Sequence, residues 1–266
     1  MDMQMVQRLQ ELNTHFYQQQ GESFACTRGA PWHGWKRCVE ILHDKDCFQN
    51  ERPYSVLDFA CGNMRFEDFL RNVLPDVDIA YCGMDNSSQM AAGRTFYNVD
   101  LLELLIESNL SDSSNALPDI LPCDLTASFG FMHHIPGHSL RLQLLKNMAE
   151  RTRPNGHIIV SFWQFLNSPN LTRKAENTHQ AALLDLSQQW NMSPAELNAA
   201  LDGGDYFLGW QGKSGAYRYC HSFPTTEIDL LIKQISDKAQ LVARFDADGH
   251  TQNLNSYIVL KKRKDD

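Results

Sequence analysis

Between Tyr54 and Trp163 the sequence alternates short apolar runs with segments of helical spacing. Tyr54–Ala60 (YSVLDFA) reads as a strand buried on both faces. Arg65–Val73 repeats apolar residues at Phe66, Phe69, Leu70 and Val73, the period of a helix. Strands follow at Ile79–Met84, Thr95–Val99, Asp124–Met132 and His157–Trp163, with helices starting at Ser87 and spanning Leu101–Ser108 and Ser139–Arg151. Such alternation predicts a parallel sheet with right-handed helical crossovers. It resumes at a helix over Thr225–Lys238 and ends in two strands, Leu241–Phe245 and Ser256–Leu260, with no helix between them. If adjacent, those two pair antiparallel. The expected fold is α/β: a mostly parallel seven-stranded sheet with an antiparallel last strand and helices on both faces.

The flanks divide the chain. Residues 1–53 hold a helix over 1–20, with Met5, Leu9, Leu12 and Phe16 on one face, then Thr27–Trp35 (TRGAPWHGW), a loop suited to covering something, and a helix over Lys36–His43. Residues 54–266 form the main domain, interrupted at about 164–216 by a polar insert with helices at His179–Gln189 and Pro194–Leu201, expected to be a cap.

Composition narrows the function. At 42% hydrophobic and 21% charged residues a core can form. A net charge of −8 argues against holding nucleic acid by bulk electrostatics and leaves a local basic face or a basic partner open. Seven cysteines, an odd number without a CxxC, are expected to be reduced thiols in a cytoplasmic protein, with no metal site. The first residues carry acids and no apolar run, unlike a signal peptide, and no stretch is apolar enough for a membrane span. The terminal KKRKDD is expected to be solvated.

Ligands of open α/β sheets bind at the carboxyl ends of the strands. After the first strand stands Asp58-Phe59-Ala60-Cys61-Gly62-Asn63-Met64. The three glycines of a dinucleotide loop are replaced by Ala60, Gly62 and Met64, which weakens a pyrophosphate site and harms a sulfonium nucleoside site less. Asp58 is a candidate for the ammonium of such a cofactor, and Ala60, Gly62 and Asn63 for its turn. Asp85, 27 residues after Asp58, closes the second strand and suits ribose hydroxyls; it or Asn86 could also cap a helix. Asp100 and Leu101 suit the adenine, with a helix cap as the competing role for Asp100. In DLTASFGFMHHIP, His133 and His134 fall at the sheet edge where the chemistry would sit. Adjacent histidines do not share a helix face as metal ligands do. One of them would face the pocket as a general base or hydrogen-bond partner, and the sequence does not choose between them.

DFACGN, GMD, FGFMHHIP and RTRPNGHIIVSFW together resemble the Rossmann-like class I methyltransferases that use S-adenosylmethionine (SAM). HFYQQQGESFACTRGAPW, VSFWQF and YRYCHSFPTTEIDLLI are similar to segments of the wobble-uridine tRNA carboxyl methyltransferases. That resemblance implies SAM as cofactor, a carboxylate on a modified wobble uridine as acceptor, and a small zinc-binding activator subunit as partner. It places Arg28, Trp32, Arg218, Tyr219 and His221 at the acceptor, with the arginines holding carboxylate or phosphate and the aromatics stacking on a base. An ionised carboxylate needs no strong base, so catalysis is alignment and exclusion of water. Met64 for the usual glycine, Cys220 for a tyrosine and SFWQF for YVWA depart from the family pattern. The alternatives are a small carboxylate or hydroxyl acceptor under a lid at 164–216, a SAM-fold binding or scaffold protein without catalysis, and an NAD-dependent oxidoreductase.

Overall fold

The structure, a computed structural model, describes residues 1–26, 29–45, 47–49, 52–86, 93–111 and 118–264. A seven-stranded sheet forms from β1 (Tyr54–Phe59), β2 (Ile79–Asp85), β3 (Phe96–Asn98), β4 (Cys123–Ser128), β5 (Thr152–Trp163), β8 (Ala239–Ala247) and β9 (Asn255–Lys262). Their order is β3-β2-β1-β4-β5-β9-β8. All pairs from β3 to β5 are parallel, and β9 runs antiparallel to both neighbours. The last strand therefore inserts between β5 and β8. The helices are α1 (Met3–Cys26), α2 (His33–His43), α3 (Arg65–Val73), α4 (Leu101–Ser111), α5 (His138–Glu150), α6 (Pro169–Gln189), α7 (Pro194–Ala199) and α8 (Thr225–Gln234). The helix expected from Ser87 lies outside the described residues. No helix among the described residues is long and apolar enough to cross a membrane.

Two apolar cores face opposite sides of the sheet. On one, Leu57, Phe59 and Ile158 meet Leu144 and Met148 of α5 and Ile228 and Leu231 of α8. On the other, Val56, Leu125 and Val259 meet Trp35 and Leu42 of α2 and Phe66 and Leu70 of α3. Gly34 lets α2 lie directly on β9: a Cβ there would stand 2.1 Å from the Tyr257 ring. The RPNG segment, Arg153–Gly156, lies inside β5 as a bulge. The β4–β5 pairing jumps from Cys123↔Thr152 to Leu125↔His157, and Asn155 takes a left-handed φ of 65°.

The insert adds a hairpin to its two expected helices. Helix α6 starts ten residues earlier than its apolar period suggests, capped by Ser168 with Pro169 at its first turn. Helix α7 carries a Ser193–Glu196 capping box. Strands β6 (Asp205–Trp210) and β7 (Lys213–His221) form a hairpin closed by Gln211 and Gly212, both at positive φ. This unit packs on α1, where Met5 and Leu9 join Leu183, Leu186, Phe207 and Tyr219.

A buried ionic network ties the hairpin to the main sheet. Arg141 of α5 donates to Glu227 of α8 (2.7 Å), to the Tyr219 hydroxyl of β7 (2.9 Å) and to the Ile135 carbonyl (2.9 Å). Asp205 of β6 accepts from the Tyr219 hydroxyl at 2.7 Å, and His221 stands 2.7 Å from Asp205 and 2.9 Å from Glu227. Burial would raise the Glu227 carboxyl, but the hydrogen bond from His221 and the Arg141 charge hold it down at about 2. Removing the guanidinium takes a buried positive charge and its hydrogen bonds away from Glu227 and the Tyr219 hydroxyl. Arg141→Met is therefore expected to destabilise the fold by about 3–5 kcal/mol, read as a lower urea midpoint. An unchanged midpoint would show that the network carries no net stability.

Candidate active site

The strand order reverses between β1 and β4, and a cleft of about 250 Å³ opens at their carboxyl ends. All eight residues expected at a cofactor line it: Asp58, Ala60, Gly62, Asn63, Asp85, Asn86, Asp100 and Leu101. The loop after β1 keeps the backbone of a glycine-rich turn with only one of its three glycines, Gly62. Ala60, Gly62 and Met64 take φ of 60°, 52° and 57°. A left-handed residue with a Cβ costs about 1–2 kcal/mol. The buried Met64 side chain offsets part of that cost by filling the space above Gly83, where a Cβ would meet its Cε at 2.6 Å.

Asp58 is 2% exposed at the floor of the cleft. Its Oδ2 accepts from the Tyr81 hydroxyl at 2.5 Å, while Oδ1 has no hydrogen-bond partner among the described residues. Burial pushes this carboxyl up to about 7; the Tyr81 hydrogen bond opposes the rise, and Asp85 and Glu67 add to it. Asp85 accepts from the Gly62 amide at 2.9 Å, which ties the end of β2 to the loop after β1. Asp100 caps α4, its Oδ1 accepting from the amides of Leu102 (3.0 Å) and Glu103 (3.1 Å) while Oδ2 accepts from Asn86 (3.1 Å). The competing cap role is thus realised, and the same carboxylate still borders the cleft.

One wall is aromatic. Trp32 stacks on Trp35 with centroids 5.4 Å apart, and Trp35 packs on Phe66 and Phe129. Gly130, at φ 71°, leaves room for Trp32, whose Cη2 would lie 3.1 Å from a Cβ there. Arg65 lies over both Trp rings, 5.9 and 5.4 Å from their centroids, and its partial burial lowers its pKa.

The opposite wall is α1, which presents Gln10, Asn13, Thr14 and Tyr17 at helical spacing. No lining residue comes from 164–216, so the insert reaches the cleft only through the helix it braces. Of the paired histidines, His134 lines the cleft, while His133 packs on Trp163 at 4.9 Å. His133, His134 and the Cys220 thiol place ligand-type atoms within 4.8 Å of one another, a grouping that adjacency in sequence had argued against. Both ring nitrogens of His134 already have partners, the Tyr17 hydroxyl and the Tyr219 carbonyl.

The acceptor set is only partly brought together. Trp32 is in the cleft; Arg28 lies outside the described residues. Arg218, Tyr219 and His221 do not line the cleft, contrary to expectation. Arg218 is buried against the rings of Phe16 and Trp210, 5.0 and 5.6 Å from their centroids. Tyr219 and His221 alternate on β7 with side chains turned into the Arg141 network, the period-two geometry of a strand. Tyr17, Asn13 and Arg65 are lining residues that apolar periodicity passes over; the polar i, i+3, i+4 stripe beside the apolar face of α1 is the signal for the first two.

No protein-family model matches the sequence, and no curated protein matches it. Solved structures do. A SAM-dependent methyltransferase from Methanosarcina mazei superposes with a TM-score of 0.57 at 12% identity, over 85% of this chain and 98% of that one. The fold is that of the SAM-dependent methyltransferases. A sugar N-methyltransferase from a Streptoalloteichus species gives 0.52 at 13% identity, covering 91% and 92% of the two chains. A SAM-bound amino pentose methyltransferase from Micromonospora echinaspora gives 0.51 at 11%, covering 91% and 95%.

The raised Asp58 value fixes a sign. Between about pH 4 and 7 folded Asp58 holds a proton that the unfolded chain has lost, so its contribution to stability falls as pH rises, while His157, lowered to about 4 by burial, contributes in the opposite sense. Asp58→Asn removes the falling contribution, so the variant's stability is expected to rise more steeply with pH than that of the wild type in urea unfolding measured from pH 4 to 8. Parallel profiles for the two proteins would contradict the raised Asp58 value.

Proposed function

We propose that the protein is a SAM-dependent methyltransferase acting on a small acceptor. The observation that carries this reading is the buried Asp58 Oδ1, without a hydrogen-bond partner among the described residues, in a residue that lines a cleft Asp85 also borders. A buried acceptor atom without a donor is costly, and a cationic ammonium on a bound ligand removes that cost. In this reading Asp58 holds the cofactor's ammonium and the turn through Ala60, Gly62 and Asn63 cradles its amino-acid end. Asp85 takes the ribose hydroxyls, while Asn86, Asp100 and Leu101 border the adenine. Bound there, SAM supplies an electrophilic methyl group on a sulfonium.

The acceptor space lies between Trp32, Gly130, Phe131 and His134 on the sheet side and α1 above. Its aromatic lining and modest volume suit a small, partly apolar acceptor. Helix α1, braced by the insert, would exclude water. The solved structures that superpose include enzymes named for sugar acceptors, which supports the small-molecule reading.

A second reading, a modified wobble uridine of tRNA with a small activator protein as partner, is favoured by Trp32. This residue of the TRGAPW segment offers a stacking face in the cleft. The positions of Arg218, Tyr219 and His221 and the charge of −8 weigh against it.

Incubation with methyl-labelled SAM and either a low-molecular-weight extract or bulk tRNA of the organism carrying the gene separates the two. Label is expected in the extract. Label in tRNA would instead establish the second reading, and label in neither would contradict methyl transfer.

A further inference from the structure

We infer that Tyr17 and His134 form a proton relay facing the acceptor, and that the acceptor is therefore a hydroxyl or amine that gives up a proton, not a carboxylate. The inference rests on the methyltransferase reading and narrows it. The Tyr17 hydroxyl stands 2.8 Å from His134 Nε2, and His134 Nδ1 stands 2.9 Å from the Tyr219 carbonyl oxygen. Nδ1 faces both this carbonyl, which only accepts, and the Asn13 amide nitrogen, a donor at 3.4 Å; the carbonyl contact is the shorter, so Nδ1 carries the proton and the Nε2 lone pair accepts from Tyr17. The tautomer is set from behind, as in a base oriented by a third group. A phenol oxygen accepts as well as donates, and both Tyr17 and His134 line the cleft.

The arrangement is held firmly. Asn13, one turn before Tyr17, accepts from the Tyr219 amide at 2.7 Å and donates to the Tyr219 carbonyl at 3.2 Å. It thereby locks α1 to β7 with the imidazole between Tyr17 and the carbonyl. The Tyr17 and His134 rings meet edge-on, 5.4 Å between centroids and 83° between planes. The His133 ring (4.1 Å between centroids) and the Cys220 thiol (3.8 Å from Nδ1) are the other titratable groups beside His134 among the described residues.

The step balances. The acceptor's lone pair forms the bond to the methyl carbon, and the carbon–sulfur pair stays with sulfur. The acceptor's proton passes to Tyr17 Oη as the Tyr17 proton passes to His134 Nε2. The imidazolium so formed takes up the positive charge that the sulfonium loses, so the charge of the cleft is unchanged. An ionised carboxylate has no such proton, and the relay would be idle.

Sinefungin, which carries an amine where the reactive methyl stands, tests the geometry without a known acceptor. Calorimetry is expected to show sinefungin binding about tenfold more tightly than S-adenosylhomocysteine, through a charge-assisted hydrogen bond to Tyr17. In Tyr17→Phe this advantage disappears while affinity for S-adenosylhomocysteine changes little. Nitrogen-15 spectra of histidine-labelled wild type are expected to show His134 as the Nδ1–H tautomer. In the labelled extract, the transferred methyl should withstand mild alkali, as ethers and methylamines do. A sinefungin preference indifferent to Tyr17, an Nε2–H tautomer, or label released as methanol from an ester would each overturn the relay. Failure of S-adenosylhomocysteine to bind the wild type would instead overturn the methyltransferase reading beneath it.

Discussion

The cleft exists because the sheet is built outward in two directions from β1 and β4. Helices leaving these strands go to opposite faces, and no crossover covers the strand ends between them. The exposed ends bring Asp58 and the loop after it beside Asp85, and the Gly62 amide joins the two. The left-handed turn at Ala60, Gly62 and Met64, the cap of α4 and the aromatic wall take their positions from that gap.

The rest of the chain serves to close it. Helix α1 crosses the opening, and the insert of α6, α7 and the β6–β7 hairpin holds it from behind. The hairpin in turn is anchored by a cation buried among carboxylates. Tyr219 occupies both systems at once: its hydroxyl belongs to the Arg141 network and its backbone to Asn13 and His134. Packing of the insert is thereby coupled to the orientation of the histidine in the cleft.

The sheet was legible because buried parallel strands announce themselves as apolar runs, and because two terminal strands without a helix between them demand an antiparallel end. That Asp58, Asp85 and their neighbours meet at one cleft was legible because their positions follow from strand ends. The acceptor side was not. Tyr219 and His221 look like pocket residues in YRYCH, but β7 lies in a hairpin whose alternation turns both inward. Its turn, Gln211–Gly212, lacks the Asn-Gly or Asp-Gly signature. Helix α6 hid its first ten residues because they are polar, although Ser168-Pro169 is a start signal. Tyr17 was hidden because the reading of α1 followed its apolar face, and the cleft lies along the neighbouring polar one.

The central claim is that this cleft is shaped for a sulfonium nucleoside. Titration calorimetry of S-adenosylhomocysteine against the wild type and Asp85→Ala tests it most directly. The account predicts one site per chain, weakened about tenfold to a hundredfold when the Asp85 carboxylate is removed. Binding of equal strength to both proteins, or to neither, would contradict it.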